Sequence, residues 1–141
     1  MNLSKFEWSD ILSVGNTDVD GDHKDLLDIY NQLVDFIEAG GNREEFAEIL
    51  SKMTDYCLNH FKKEEIYMKE LAYPDVIKHV RYHHQYIYTV SMYNFDLLGV
   101  DPPAPEEIIL FLEKWWRNHI LTVDVEYEAY KKTVKSTASY R

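Results

Sequence analysis

The sequence contains little of what marks an extracellular or a membrane protein. Its 141 residues include one cysteine, five glycines and four prolines, so no internal disulfide can form and long uninterrupted helices are favoured. No run of eighteen apolar residues occurs, and the N-terminal segment MNLSKFEWSD has no apolar leader. These absences predict a cytoplasmic protein without a transmembrane helix.

Positive charge is scarce as well. Fifteen lysines and arginines stand against 25 aspartates and glutamates, which gives a net charge of −10. An acidic surface repels phosphate backbones and anionic lipids, so neither nucleic acid nor membrane insertion is predicted. Aromatic residues are abundant by contrast, with 11 tyrosines, 6 phenylalanines and 3 tryptophans. A chain of this size and composition can bury a substantial core.

Four segments place their apolar residues at alternating spacings of four and three, the period of an amphipathic helix. The segments are separated by Gly40 and Gly41, by Pro74 and by the proline-rich stretch 101–105. Because the connections are short, consecutive helices are expected to pack antiparallel. The pattern predicts an all-α protein, an up-down-up-down antiparallel four-helix bundle.

The whole chain, 1–141, is predicted to form one domain. Residues 1–18 show no helical period and are expected to form a non-helical arm that lies across the bundle through Phe6, Trp8, Ile11 and Val14. The segment from about 133 to 141 is polar and is predicted to be a frayed tail.

Histidines and carboxylates stand at positions where the four stripes require core residues. They come from all four predicted helices and are His23, His60, Glu64, His83 and His119; His79 lies four residues before His83, so both can point to one place. A single core histidine is typical of an ordinary hydrogen-bonded residue, but each unsatisfied buried polar group costs about 1–3 kcal/mol. Imidazole and carboxylate are the ligands that first-row transition metals accept. The set as a whole therefore predicts a metal centre in the bundle interior.

Asp124 is a less regular candidate for the same centre. It follows His119 by five residues, which is about 140° around an ideal α-helix, so the two would not share a face. Either a wide π-type turn lies between them or Asp124 reaches the metal from the side of the helix. Since such turns concentrate at functional sites, we expect the backbone from His119 to Asp124 to depart from regular α-helical hydrogen bonding.

Four segments, DVDGDHK, HFKKEEIYM, YPDVIKHVRYHH and WWRNHILTVD, together resemble the hemerythrin family in its single-domain bacterial form. The resemblance covers nearly the whole chain. It implies a non-haem di-iron centre with an oxo or hydroxo bridge, in which His79, His83 and His119 hold one iron, His23 and His60 hold the other, and Glu64 and Asp124 bridge the two. The second iron would then be one ligand short, and dioxygen would bind there as a hydroperoxide.

The resemblance also implies an apolar wall around the dioxygen site, for which the candidates are Phe61, Trp115, Trp116 and Ile120. Trp116 departs from the family, which commonly has leucine just after the tryptophan that matches Trp115. An indole is bulkier than leucine and carries an N–H donor. Our hypothesis is that Trp116 narrows access to the site or alters the lifetime of bound dioxygen.

Other polar residues near the candidate ligands have simpler interpretations. His84 follows His83 directly and points about 100° away from it, so it is not expected to bind metal. Glu65 is predicted to lie on a solvated face together with Lys62 and Lys63. Cys57 is predicted to be a small core residue because no basic neighbour or helix start would activate its thiol.

The resemblance favours reversible dioxygen binding, by an oxygen carrier, store or delivery protein that could supply an oxygen-consuming partner enzyme, over enzymatic turnover. One alternative is a di-iron oxidase or peroxidase, but such ferritin-like enzymes typically use Glu-x-x-His pairs, and the chain contains none. Another is an oxygen or redox sensor acting through a separate partner, and a third is a metal-free structural bundle. Ligand type alone does not separate iron from manganese or cobalt, so iron follows from the resemblance.

Overall fold

Helices make up most of residues 3–139, the part of the chain described by the computed structural model. They are α1 Thr17–Glu38, α2 Arg43–Glu70, α3 Val76–Leu97, α4 Pro105–Asn118, a π-helical segment His119–Asp124, and α5 Val125–Ser139. The residues that flank the π-helical segment, Asn118 and Val125, both have helical backbone angles, so α4, the segment and α5 form one continuous fourth helix. No strand occurs in this described range. The predicted all-α four-helix fold is confirmed.

The helix boundaries follow from local chemistry. The Asn16 side chain accepts hydrogen bonds from the backbone N–H groups of Asp18 and Val19 and so starts α1. Asn42 accepts from Glu45 N and starts α2. Gly40, between these helices, has a φ of 78°, a left-handed conformation that glycine adopts without steric cost.

The four helices pack in a ring. α1 contacts α2 and α4, and α3 likewise contacts α2 and α4. The short connections 39–42, 71–75 and 98–104 join helices that are neighbours in this ring. Their inner faces form a continuous apolar core that includes Leu26, Leu50, Val90 and Leu112, none of which is exposed. The site described below is built within this core.

The N-terminal arm lies along α1. The Asn31 side chain donates to Phe6 O and accepts from Phe6 N, at 2.8 and 2.9 Å, and Tyr30 Oη donates to Ser4 O. The arm ends at Asn16 rather than at residue 18, because Asn16 caps α1. Ile11, predicted to pack on the bundle, is 77% exposed: the 3₁₀ turn Asp10–Leu12 buries Leu12 in its place.

The C-terminal segment also differs from the sequence prediction. Helix α5 continues to Ser139, beyond the residue near 133 at which fraying was expected, since its sequence VEYEAYKKTVKSTAS contains no glycine or proline to end it. Residues 140 and 141 lie outside the described range. Within that range, every helix is too short or too polar to cross a membrane.

Candidate metal centre

The fourth helix changes its hydrogen bonding where it reaches the site. The segment His119–Asp124 is a π-helix, in which each N–H bonds to the carbonyl five residues earlier. Residues five apart therefore face the same side, and both His119 and Asp124 are directed into the bundle, at most 3% exposed. The predicted departure from α-helical geometry is confirmed, and it explains how a five-residue spacing serves one site.

The structure brings all seven candidate side chains together in two adjacent groups. The larger group consists of Glu64, His79, His83, His119 and Asp124, and the smaller one of His23, His60, Glu64 and Asp124. Within each group, the potential ligand atoms lie within 4.8 Å of one another, and every residue is buried. Two carboxylates belong to both groups.

The three-histidine group is tightly spaced. Glu64 Oε1 lies 3.1 Å from His79 Nε2 and 3.0 Å from His83 Nε2. Asp124 Oδ1 lies 3.0 Å from both His79 Nε2 and His119 Nε2. One oxygen of each shared carboxylate therefore faces this group.

The other oxygen of each shared carboxylate faces the two-histidine group. Asp124 Oδ2 lies 3.1 Å from His23 Nε2, and Glu64 Oε2 lies 3.3 Å from His60 Nε2. Glu64 and Asp124 thus extend between the groups, each with one oxygen toward either side. This is the arrangement of two carboxylates that bridge a pair of cations.

Most inner atoms of the site do not satisfy one another by hydrogen bonding, although His79 Nε2 and His119 Nε2 lie within hydrogen-bond distance at 3.2 Å. Six of them are buried without a hydrogen bond of acceptable geometry, namely His23 Nε2, His60 Nε2, His83 Nε2, Glu64 Oε1, Asp124 Oδ1 and Asp124 Oδ2. The neighbouring nitrogen and oxygen atoms lie within hydrogen-bond distance, but the angles between them do not fit a hydrogen bond because the atoms do not point at each other. Buried polar groups without hydrogen bonds would destabilise a core. Metal-ligand atoms that surround one cation have this arrangement, since each points at the cation rather than at its neighbours.

The spacing of these atoms fits octahedral coordination. Metal–nitrogen and metal–oxygen bonds of about 2.1 Å at right angles place neighbouring ligand atoms about 3.0 Å apart. The contacts that Asp124 Oδ1 makes with His79 and His119 are 3.0 Å. The residues present therefore fit a pair of first-row metal ions.

The charges of the site depend on contacts between imidazoles and carboxylates. Burial lowers the pKa of His60, but contacts with Asp22 and Glu64 outweigh this and raise the pKa to about 10. Burial likewise lowers the pKa of His79, which Asp124 and Glu64 raise to about 9. Burial raises the pKa values of Glu64 and Asp124, yet their imidazole neighbours hold both below the ordinary range. Metal binding must therefore displace protons from His60 and His79.

Two carboxylates that the sequence did not identify support the imidazoles from outside. His60 Nδ1 donates to Asp22 Oδ2 at 3.0 Å, and His83 Nδ1 donates to Glu65 Oε2 at 2.8 Å. Such carboxylate partners fix the tautomer and orientation of a ligand histidine. The hydrogen bond to His60, reinforced by Lys63, lowers the pKa of Asp22 to about 2. The prediction that Glu65 lies on a solvated face was wrong, because its carboxylate turns back to His83.

Replacing Asp22 with asparagine is expected to weaken metal binding by the two-histidine group by about 10–100-fold, the usual effect of losing such a partner. A neutral amide oxygen accepts the His60 Nδ1–H more weakly than a carboxylate and no longer raises the basicity of the Nε2 that faces the metal. Competitive titration with a chromophoric chelator measures the change. Asp28→Asn, on the exposed side of the same helix, is the matched control; equal affinities for both variants would contradict the assigned role.

A tyrosine also contacts one of the shared carboxylates. Tyr127, which is not exposed, donates from Oη to Glu64 Oε2 at 3.0 Å. Beside it, the buried Glu128 accepts hydrogen bonds from Asn16 Nδ2 and from Tyr67 Oη. Tyr127 follows Asp124 by three residues, one helical turn along the inner face, and this spacing was the signal in the sequence. These contacts tie the start of α1 and the end of α2 to the fourth helix.

Aromatic rings enclose the remaining sides of the site. Phe61 stacks on His83 with ring centroids 3.8 Å apart, and Trp115 stacks on His119 at 4.3 Å. Trp116 is fully buried, and its ring centroid lies 6.1 Å from that of His23 and 6.4 Å from that of His60.

The other residues expected near the site differ in their exposure to solvent. Ile120 is buried with no exposed surface, and His84 is exposed beside the buried His83. Cys57 is a core residue, and burial raises the pKa of its thiol to about 12, so it is unreactive.

Comparison with known proteins identifies relatives that share both the fold and the sequence. A family model for the hemerythrin HHE cation binding domain matches residues 14–129. Bacteriohemerythrin of Pseudomonas aeruginosa (strain LESB58) is 30% identical over 125 residues, 89% of this chain and 80% of that protein. Bacteriohemerythrin of Methylococcus capsulatus (strain ATCC 33009 / NCIMB 11132 / Bath) is 31% identical over 108 residues, 77% of this chain and 82% of that protein. A crystal structure of wild-type hemerythrin matches with a TM-score of 0.81 at 27% identity, covering 88% of this chain and 95% of that chain.

Proposed function

Because this chain belongs to the hemerythrin family, we propose that it binds dioxygen reversibly at a di-iron centre held by the seven clustered side chains. The observation that carries the proposal is the unequal pair of ligand groups joined by Glu64 and Asp124. One group offers three imidazoles and the other only two, so the second offers one protein ligand fewer. That group, with His23 and His60, is the proposed site of dioxygen binding.

The two iron ions would supply the electrons for reversible binding of dioxygen, and the chain's own residues determine what surrounds them. His79, His83 and His119 would hold one ion. Glu64 and Asp124 would keep the two ions at a fixed separation, since each presents one oxygen to either group. The hydrogen bond from Tyr127 to Glu64 Oε2 holds that carboxylate in its bridging orientation.

The packing around the two-histidine group supports a binding role that depends on excluding water. Trp116 lies against His23 and His60, while Phe61 packs between Trp116 and His83, with ring centroids 5.7 and 3.8 Å away. A dry, apolar wall limits protonation of a bound ligand and its displacement by water. The same wall would slow oxidation of the reduced centre.

Several features favour a binding protein over an enzyme. The site has five imidazoles and only two carboxylates, and fewer anionic ligands stabilise ferric iron less. We therefore place storage, transport or delivery of dioxygen to an oxygen-consuming enzyme ahead of oxidase or peroxidase turnover. For localisation, we propose the cytoplasm. The one cysteine is a buried free thiol, and free thiols persist in that reducing compartment.

Trp116 is expected to control how long the reduced centre survives in air. Its buried indole Nε1 makes no hydrogen bond of acceptable geometry among the described residues, although burial raises the pKa of the Tyr86 hydroxyl and an interaction with this N–H lowers it. We expect this N–H to donate to a small ligand. Trp116→Leu opens space beside His23 and should speed autoxidation. Trp116→Phe keeps most of the bulk but removes the donor; losing one hydrogen bond of about 1 kcal/mol should raise the dioxygen dissociation rate several-fold.

Stopped-flow spectroscopy and long-term visible spectra distinguish the two effects. A faster autoxidation in the leucine variant alone assigns the effect to bulk, and faster dissociation in both variants assigns it to the N–H. Trp8→Phe, in the N-terminal arm, is the control for loss of a tryptophan. Equal rates in all four proteins would reject a role for Trp116.

Reversibility itself is tested by an iron count combined with visible spectra of the reduced protein. About two irons per chain are expected, with a band that appears under air and fades when oxygen is withdrawn. Two irons that oxidise once and do not return would instead favour the oxidase or the sensor. If no iron is bound after reconstitution, reversible dioxygen binding and the iron-dependent alternatives are all rejected.

A further inference from the structure

The outer face of α3 carries a large exposed stripe that the metal centre does not use. Ile77, Tyr88, Met92 and Phe95 are 69, 69, 43 and 76% exposed. At 100° per residue, these positions and the two between them fall within about 80° of arc along a helix about 33 Å long. We call this set the α3 stripe: Ile77, Arg81, His84, Tyr88, Met92 and Phe95.

The α3 stripe differs in charge from the rest of the molecule. The sequence of α3, VIKHVRYHHQYIYTVSMYNFDL, contains one acidic residue, Asp96, whereas the whole chain has 25 and a net charge of −10. Like-charge repulsion between two copies is therefore smallest where their α3 stripes face each other. Several large apolar side chains exposed along one helix face, with only Arg81 and His84 between them, mark a candidate interaction surface.

The stripe is complementary to itself in one orientation. When two copies of α3 run antiparallel about a two-fold axis midway between Tyr88 and Thr89, Arg81 of one copy comes level with Asp96 of the other, twice by symmetry. A two-fold axis of this kind keeps both residues on the same flank of the contact. Within residues 3–139, neither Arg81 nor the Asp96 carboxylate has an ion-pair partner. The same register places Met92 opposite Gln85.

We propose that the chain forms a homodimer in which the α3 stripe packs antiparallel on the α3 stripe of a second copy. The interface is isologous, with Tyr88 of both copies at its centre and the two Arg81–Asp96 pairs at its edges. Because one helix from each copy supplies the contact, the buried area is small and dimerisation depends on protein concentration. His79 and His83 lie on the opposite side of α3, so the dimer leaves the metal ligands in place.

Sedimentation velocity of the full metal-loaded chain over rising concentration tests the dimer. The mass is expected to increase from 16.8 kDa toward twice that value. Tyr88→Glu places a carboxylate at the centre of each stripe and should keep the protein monomeric over the same range. Leu110→Glu, at a half-exposed apolar position on α4, is the matched control and should dimerise as wild type does.

Charge reversal tests the register. Arg81→Asp and Asp96→Arg should each raise the dimer dissociation constant several-fold, and the double variant should restore it. Circular dichroism and metal content verify that each variant is folded. A wild-type protein that stays monomeric, as expected if a different protein covers the stripe, overturns the proposal. A dimer that persists in Tyr88→Glu also overturns the proposal. If the double variant dimerises no more tightly than the single variants, the antiparallel register is wrong.

Discussion

Asp124→Ala is expected to abolish tight metal binding at both groups, because each group depends on a different oxygen of this one carboxylate. Oδ1 lies 3.0 Å from His79 and His119, whereas Oδ2 lies 3.1 Å from His23. Loss of the side chain removes a ligand from each ion and the bridge between them. We expect the metal content of the reconstituted protein to fall from about two ions per chain to fewer than one.

His23→Ala provides the comparison, since His23 belongs only to the two-histidine group. It should leave the three-histidine group loaded and retain about one ion per chain. Elemental analysis after gel filtration gives both numbers, and Asp28→Ala serves as a surface control that should keep both ions. If Asp124→Ala retained two tightly bound ions, the bridging role of Asp124 would be wrong.

Removal of the metal is expected to lower thermal stability strongly. An ion present at a thousandfold excess over its dissociation constant stabilises the folded state by about 4 kcal/mol, so two ions contribute about 8 kcal/mol and raise the unfolding midpoint by roughly 15–30 °C. Without metal, the core keeps buried polar atoms that lack hydrogen bonds. Calorimetry with and without a chelator measures the difference. Asp124→Ala should show almost none, and a chelator-insensitive wild type would contradict the prediction.

The stabilisation by metal should grow as the pH rises from about 6 to about 9. His60 and His79, with pKa values raised to about 10 and about 9 in the metal-free fold, must lose protons when metal binds. Each group's affinity should therefore increase about tenfold per pH unit over this interval.

The metal-free fold changes in the opposite direction. A histidine whose pKa is higher in the folded state than in the unfolded state adds to the free energy of unfolding. This contribution is fully present below about pH 6.5 and is lost as the pH rises through the folded-state pKa. The thermal unfolding midpoint of the metal-free protein should therefore fall as the pH rises toward about 9, while the midpoint of the metal-loaded protein stays nearly constant. A gap between the two midpoints that narrows with rising pH would contradict this account.

Most of the metal centre could be predicted from local spacing. His60 with Glu64, and His79 with His83, are four residues apart, and a helix brings such pairs to one face whatever the rest of the fold does. The five-residue spacing of His119 and Asp124 predicted a departure from α-helical hydrogen bonding and left a π-type turn or an approach from the side of the helix open; the structure contains the π-helix. These inferences required only the geometry of a single helix.

Contacts between helices could not be predicted in this way. Asp22 stands next to His23 in the sequence, yet its carboxylate contacts His60 on α2. Glu65 was assigned to solvent from its position, but packing of α2 on α3 brings it to His83. Ile11, expected to pack on the bundle, is exposed and its neighbour Leu12 is buried, because a 3₁₀ turn that the pattern did not indicate rotates that part of the arm.

The sequence by itself determined the four helices, the polar positions on their inner faces and the departure from α-helical geometry between His119 and Asp124, because each depends on the period of one helix and on residues at most five positions apart. Only the tertiary structure decided which oxygen of Glu64 and Asp124 faces which group, and which outer carboxylate orients which imidazole. Those choices depend on the rotation and depth at which one helix packs against another. The rotation and depth of packing depend on contacts between residues that are tens of positions apart, so a local sequence pattern does not predict them.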